Sequence, residues 1–144
     1  MHPRANLWDL EDERAVNLLT EVFEYCKKNA MPILLHTGED DGLDEPTRFL
    51  PFFEEFPDVA VTLAHCRTIE TAIKILQKLP AYKGDSAFVP ESSFHRLKEA
   101  GLFERVVFGS DFPITHYFAT KYGENIVSLK EQYAKDLVER KKNF

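Results

Sequence analysis

Stretches with helical periodicity alternate along this chain with short apolar runs. In each helical stretch the apolar residues recur every three or four positions, which is the spacing of one buried helix face. The apolar runs are four to six residues long and are rich in Val, Ile and Leu, as expected of buried strands. The predicted helices cover about residues 10–29, 44–56, 68–79, 91–100 and 124–140, and the predicted strands cover 32–36, 59–64, 85–89 and 105–110.

Strict alternation of helix and strand with short connections predicts a parallel sheet covered by helices. The fold class is therefore α/β with about four βα units. A chain of 144 residues, 44% of them hydrophobic, can bury one ordinary core, so residues 1–144 are predicted to form a single domain.

Three of the predicted strands end in a polar residue that is able to do chemistry. His36 follows the run that starts at Pro32, His65 follows the run 59–64, and Asp111 follows the run 105–110. The carboxyl ends of parallel strands meet at one edge of the sheet, where active sites of α/β folds collect. We expect His36, His65 and Asp111 to face a common cavity.

Two imidazoles and a carboxylate are ordinary ligands for a divalent metal, most commonly zinc. A metal with an open coordination position lowers the pKa of bound water to about 7, and a nearby carboxylate can orient that water and accept its proton. Such a site hydrolyses amides, lactones or esters. The sequence therefore predicts a metal-dependent hydrolase acting on a small molecule.

Most other polar residues are predicted to have ordinary structural roles. The acids of the segment 39–45 are expected to form a solvated loop, with Asp44 capping the following helix. His2 is expected to be incidental, and His95 to lie on a helix surface. His116 lies in the loop after Asp111, where an ordinary loop histidine is the simplest interpretation.

Composition narrows the environment and the partners. The net charge of −6, with no basic cluster before the tail 139–142, argues against nucleic-acid binding. The two cysteines, Cys26 and Cys66, imply no disulfide framework, and Cys66 is expected to be a packing residue. No run is long enough to span a membrane, and the first residues do not resemble a signal peptide. We expect a soluble cytoplasmic protein without a membrane partner.

Three motifs resemble the amidohydrolase superfamily in its amidohydrolase-2-like branch. Pro-Ile-Leu-Leu-His-Thr-Gly at 32–38, Leu-Ala-His-Cys at 63–66 and Val-Val-Phe-Gly-Ser-Asp-Phe-Pro at 106–113 are similar to that family's fifth, sixth and eighth strand motifs. Asp85-Ser86 corresponds to the seventh strand, and Met1-His2-Pro3 to the segment after the fourth. The motifs occur in the family's order over nearly the whole chain.

The resemblance implies half of a TIM (β/α)8 barrel, since a full barrel needs about 250 residues. It implies that His36 is a metal ligand, that His65 is a second ligand or polarises the substrate carbonyl, and that Asp111 is a ligand that also moves the proton. The family's first-strand His-x-His pair is missing from this sequence. We therefore expect catalysis to require the missing half. The chain is expected either to pair with another half-barrel, as a homo-oligomer or with a complementary partner, or to be a fragment of a longer protein.

Three other interpretations remain open at the level of sequence. The first is the decarboxylase chemistry that also occurs in this branch of the family. The second is a non-catalytic half-barrel that serves assembly. The third is an unrelated parallel α/β binding domain in which the two histidines are packing residues.

Overall fold

The computed structural model describes residues 1–38, 42–109, 111 and 114. The chain divides into two compact units, residues 1–109 and 110–144, and the fold described below is that of the first. The predicted helix over 124–140 falls outside the described residues. The elements are α1 (Glu13–Lys28), β1 (Ile33–His36), a 3-10 helix (Pro46–Phe49), α2 (Leu50–Glu55), β2 (Val61–Ala64), α3 (Ile69–Lys78), β3 (Lys83–Asp85), α4 (Glu91–Glu99), a 3-10 turn (Phe103–Arg105) and β4 (Val106–Val107).

The strands of the described residues form one parallel sheet in the order β1-β2-β3-β4. Neighbours in the sheet are neighbours in sequence, each pair being joined through a helical crossover, as in consecutive units of a βα barrel. In register, Leu35 pairs with Leu63, Leu63 with Gly84, and Gly84 with Val106. The predicted α/β class with four parallel strands is confirmed.

One face of this sheet carries the hydrophobic core. Leu35, Leu63 and Val106 point to that face and are buried. Aromatic residues at helical spacing fill the space between α1, α2 and the sheet, with Phe23 stacked on Phe52 at 5.6 Å. Burying such rings contributes roughly 1.5–3 kcal/mol each. The predicted apolar stripe after Pro46 is therefore core.

The opposite face of the sheet presents the row formed by His36, Ala64, Asp85 and Val107. Side chains alternate between faces along a strand, so Leu34, two residues before His36, lies on the same face of the sheet. Leu34 is 56% exposed although it lies within a strand. In a closed βα barrel this face is the packed interior.

The predicted bounds of the third and fourth strands differ most from the structure. The third strand spans Lys83–Asp85 and not 85–89, because the backbone after Asp85 turns locally, with the Val89 N–H bonded to the Ser86 carbonyl at 3.3 Å. The last strand is shortened to Val106–Val107, since Arg105 closes a 3-10 turn with its N–H on the Leu102 carbonyl. Asp85 is therefore the last residue of its strand. His36 likewise ends β1, and His65 directly follows the end of β2.

Arg105 ties the end of α3 to the start of β4. Its guanidinium donates to the carbonyl oxygens of Leu76, Leu79 and Tyr82. A cation near a helix C-terminus satisfies carbonyls that have no partner within the helix.

No helix among the described residues combines the length and the apolar composition needed to cross a membrane.

Candidate metal centre

His36 lies at the centre of a cluster of polar side chains at the carboxyl end of β1. Its ring is half-buried and has three polar neighbours, the side chains of His2, Asp44 and His65. Two of these neighbours come from loops and one from the end of β2. The predicted approach of His36 to His65 is confirmed, since their ring nitrogens Nδ1 and Nε2 are 3.2 Å apart.

Asp44 contributes a buried carboxylate to this cluster. Asp44 is 1% exposed, and its Oδ2 lies 3.3 Å from Nε2 of His36. The Gly38 N–H donates to the Asp44 carbonyl at 2.8 Å, which folds the loop back over the strand end. Gly38 is needed there, because a Cβ at that position would overlap the Asp44 carboxylate.

The prediction that Asp44 is a solvated helix cap is wrong. Glu45 takes the capping position instead, since its carboxylate accepts the Thr47 N–H at 2.9 Å. Both Asp44 and Glu45 are buried, whereas residues 39–41 lie outside the described residues. The sequence signal was ambiguous because two adjacent acids precede Pro46, and either one could have capped the helix.

His2 is a second residue whose role the sequence did not reveal. Its ring stacks on that of His36 with centroids 3.8 Å apart and planes inclined by 11°. The main chain explains this placement, because the His36 N–H donates to the Met1 carbonyl at 2.8 Å. His2 Nδ1 accepts the Ala5 N–H at 3.3 Å. The prediction that His2 is incidental is wrong.

His65 is held in a defined orientation behind His36. It is buried, and its Nδ1 lies 3.0 Å from the carbonyl oxygen of Ala87. Its backbone adopts φ +70°, and the following Cys66 adopts φ +44°. Positive φ values are costly for residues other than glycine and concentrate at functional sites.

Asp85 stabilises this unusual backbone. Its Oδ1 accepts the N–H of His65 at 2.9 Å and the N–H of Ala87 at 3.0 Å. The same carboxylate thus fixes both the backbone of His65 and Ala87, the residue whose carbonyl binds the His65 ring. The sequence pattern predicted Asp85 at the start of a strand, whereas it is the last residue of β3.

Burial keeps the His36 ring neutral. The pKa of His36 is lowered from 6.5 to about 4, mainly by burial and then by charge repulsion from the His2 and His65 rings, which together outweigh the attraction of Asp44. At neutral pH His36 is therefore an uncharged imidazole, and its contact with Asp44 is not an ion pair. Uncharged imidazole is the form that binds metals.

The side chains of His2, His36 and Asp44 fit a metal ion. One ligand atom from each lies within 4.8 Å of the others. The Asp44 Oδ1 is buried and has no hydrogen-bond partner among the described residues. A buried carboxylate oxygen without a donor is unfavourable unless a cation compensates it.

Asp111 belongs to the second unit, residues 110–144. It is partly exposed, has φ +50°, and its carbonyl accepts the Ile114 N–H at 2.9 Å. Its approach to His36 and His65 stays a prediction. His95 is exposed on α4, as expected, and His116 lies outside the described residues.

The amidohydrolase family profile matches residues 1–142. The chain belongs to the amidohydrolase family. This membership confirms the resemblance carried by the strand-end motifs and rules out an unrelated α/β binding domain. Amidohydrolases are typically metal-dependent, which agrees with the presence of a His/Asp group that fits a metal.

The chain of this amidohydrolase is also similar in structure to a solved protein. The match is to an uncharacterised TIM-barrel protein from Bordetella bronchiseptica, with a TM-score of 0.54 and 19% sequence identity, over 81% of this chain and 42% of that one. The likeness shows a barrel-type fold, and the chain spans less than half of that barrel's length. No curated protein matches the sequence.

Proposed function

We propose that this amidohydrolase-family chain is a metal-dependent hydrolase module acting on an amide, lactone or ester bond of a small molecule. The observation that carries the proposal is the His36 ring facing the buried Asp44 carboxylate, with Nε2 of His36 3.3 Å from Oδ2 of Asp44. This pairing leaves an electron-rich site at a strand end. Zinc is the metal that we expect, because two imidazoles and a carboxylate suit it.

A bound divalent ion supplies an activated water nucleophile near neutral pH and polarises the scissile carbonyl. The protein's own groups hold and orient the reactants. His36 fixes the ion at the end of β1, and the His65 imidazole, in contact with His36, holds the His36 ring in place. Asp111 follows β4 in sequence, and we assign it the transfer of the proton.

We propose that activity requires the complementary half of the barrel, whether it comes from the same polypeptide, from a second copy or from another chain. The chain covers 42% of the solved barrel that it resembles, and the family's first-strand His-x-His pair is missing from this sequence. The exposed Leu34 on the open sheet face supports this view, since a parallel sheet is normally covered on both faces.

The experiment compares hydrolysis of a panel of amides, lactones and esters by zinc-loaded protein, alone and mixed with the first four βα units of a related amidohydrolase. We expect hydrolysis that a chelator abolishes and that His36→Ala removes. A zinc-loaded mixture that forms a complex and hydrolyses no member of the panel would overturn the proposal. Release of carbon dioxide from carboxylated analogues without hydrolysis would replace it with decarboxylation.

A non-catalytic assembly module is the second candidate. The specific observation in its favour is again the partial barrel, whose open sheet face carries apolar side chains such as Leu34 and Val107. A module of this kind would form the same complex with a complementary half-barrel. It would show no turnover with zinc present, and His36→Ala would leave assembly unchanged.

A further inference from the structure

Hydrogen bonds fix the orientation of the His36–His65 pair. The Nδ1 of His65 lies 3.0 Å from the Ala87 carbonyl, which can only accept, so this nitrogen donates. The Nε2 of His65 lies 3.2 Å from Nδ1 of His36. The other ring nitrogen of His36, Nε2, faces Asp44.

This nitrogen lies close to a carboxylate oxygen. Asp44 Oδ2 is 3.3 Å from Nε2 of His36. The second carboxylate oxygen, Oδ1, is buried and has no hydrogen-bond partner among the described residues. A buried carboxylate oxygen without a donor is unfavourable, and a cation bound by Asp44 and His36 would compensate it.

We propose that Asp44 and His2 join His36 as the protein ligands of the metal, and that His65 orients His36 without binding the ion. This inference rests on the metal dependence in the proposed function but not on hydrolysis. It differs from the ligand set that family resemblance implies, in which Asp111 and in one version His65 bind the metal. Asp44 and His2 are supplied by the two loops that converge on the end of β1.

The distances agree with a tetrahedral ion. Zinc bonds of about 2.0–2.1 Å place neighbouring ligand atoms about 3.3–3.4 Å apart. The His36–Asp44 separation of 3.3 Å matches that edge. His2 offers the third ligand atom within 4.8 Å of the others. Its ring is stacked on that of His36 with the planes inclined by only 11°, so it must turn out of the stack before its lone pair can point at the same ion.

The proposed role of His65 follows the pattern of metal sites in which the second nitrogen of a ligating imidazole is hydrogen-bonded. Such a partner fixes the tautomer and the ring plane, and its loss lowers metal affinity by about 10- to 100-fold. Here a chain of hydrogen bonds runs from the Ala87 carbonyl through the His65 ring to the His36 ring. Asp85 anchors its far end through the N–H groups of His65 and Ala87.

The test measures zinc binding by calorimetry and cobalt absorption spectra on the whole chain. We expect one ion per chain, about 100-fold weaker binding in Asp44→Asn, and about tenfold weaker binding in His2→Ala. His65→Gln should bind about tenfold more weakly and keep the tetrahedral cobalt spectrum, because no ligand is lost. The matched controls are Asp58→Asn and His95→Ala, two exposed positions outside the cluster.

Folding is checked by the thermal midpoint without metal. Asp44→Asn should have a thermal midpoint close to that of the parent, since the amide keeps the shape of the carboxylate and removes a buried charge. Unchanged zinc affinity in Asp44→Asn, or a changed cobalt spectrum in His65→Gln, would overturn the assignment. If the variants show the predicted losses of zinc affinity but the complemented protein hydrolyses no substrate, the proposed function is refuted and the ligand assignment is not.

Discussion

Replacing Gly38 by Ala should weaken metal binding while every ligand side chain is kept. The added methyl group would overlap the Asp44 carboxylate, which must move by about 1 Å or more. A zinc–oxygen bond of about 2.1 Å does not survive such a displacement. Gly38 does not adopt a positive φ, so Ala causes no backbone strain, and the effect arises from the displaced carboxylate.

Losing the carboxylate should reduce zinc affinity about 100-fold, which is about 2.8 kcal/mol at 1.4 kcal/mol for each factor of ten. Zinc at 100 times the parent dissociation constant stabilises the parent by about 2.7 kcal/mol, and should stabilise Gly38→Ala by only about 0.4 kcal/mol. Urea unfolding with and without zinc measures both values. The variant without zinc should lose no more than about 3 kcal/mol from overpacking.

Gly101→Ala is the matched control. Gly101 ends α4 with φ +71°, and a Cβ there would meet no atom within 4 Å. This substitution should cost about 1 kcal/mol through backbone strain and leave the zinc-dependent stabilisation near 2.7 kcal/mol. An undiminished zinc effect in Gly38→Ala would refute the claim that Asp44 binds the ion.

Four further predictions concern the fold around the site. In metal-free protein, stability should be constant above about pH 6.5 and fall by about 1–2 kcal/mol between pH 6.5 and 4, because the lowered pKa of His36 makes the unfolded chain bind the proton first; His36→Phe should flatten that part of the profile in urea titrations. Arg105→Met should cost about 3 kcal/mol in the same assay, since several carbonyls lose a charged donor, and a cost below about 0.5 kcal/mol would contradict this. Asp85→Ala should cost about 2–4 kcal/mol, because two buried N–H groups lose their acceptor, and Asp85→Asn should cost less. Cys66 should react with a thiol reagent only on unfolding, since burial and then Asp85 raise its pKa to about 12; labelling of the native protein within minutes would count against the packing role.

The repetition of apolar runs was sufficient to predict the sheet, because every strand of a parallel sheet needs such a run whatever surrounds it. It also predicted the meeting of His36 and His65, since residues at equivalent ends of adjacent parallel strands are neighbours by geometry. The core aromatic residues such as Phe53 followed from helical spacing alone. These features depend on period and position, which a sequence displays directly.

The ligands from the loops could not be predicted in this way. Asp44 is one of several acids in the segment 39–45, and only the fold of the loop against Gly38 selects it for burial. His2 reaches the site because Met1 pairs with β1, a contact between residues 35 positions apart. Asp85 was misplaced by a shift of one strand boundary, and such boundaries are set by local turns rather than by hydrophobic period.

The most direct test of the central claim is a crystal structure of the zinc-loaded chain with anomalous data collected on both sides of the zinc absorption edge. The account predicts an anomalous peak about 2.0–2.2 Å from Nε2 of His36 and from a carboxylate oxygen of Asp44, with His65 still bonded to Nδ1 of His36. A zinc peak elsewhere, or a filled site in which Asp44 makes no bond to the ion, would contradict it.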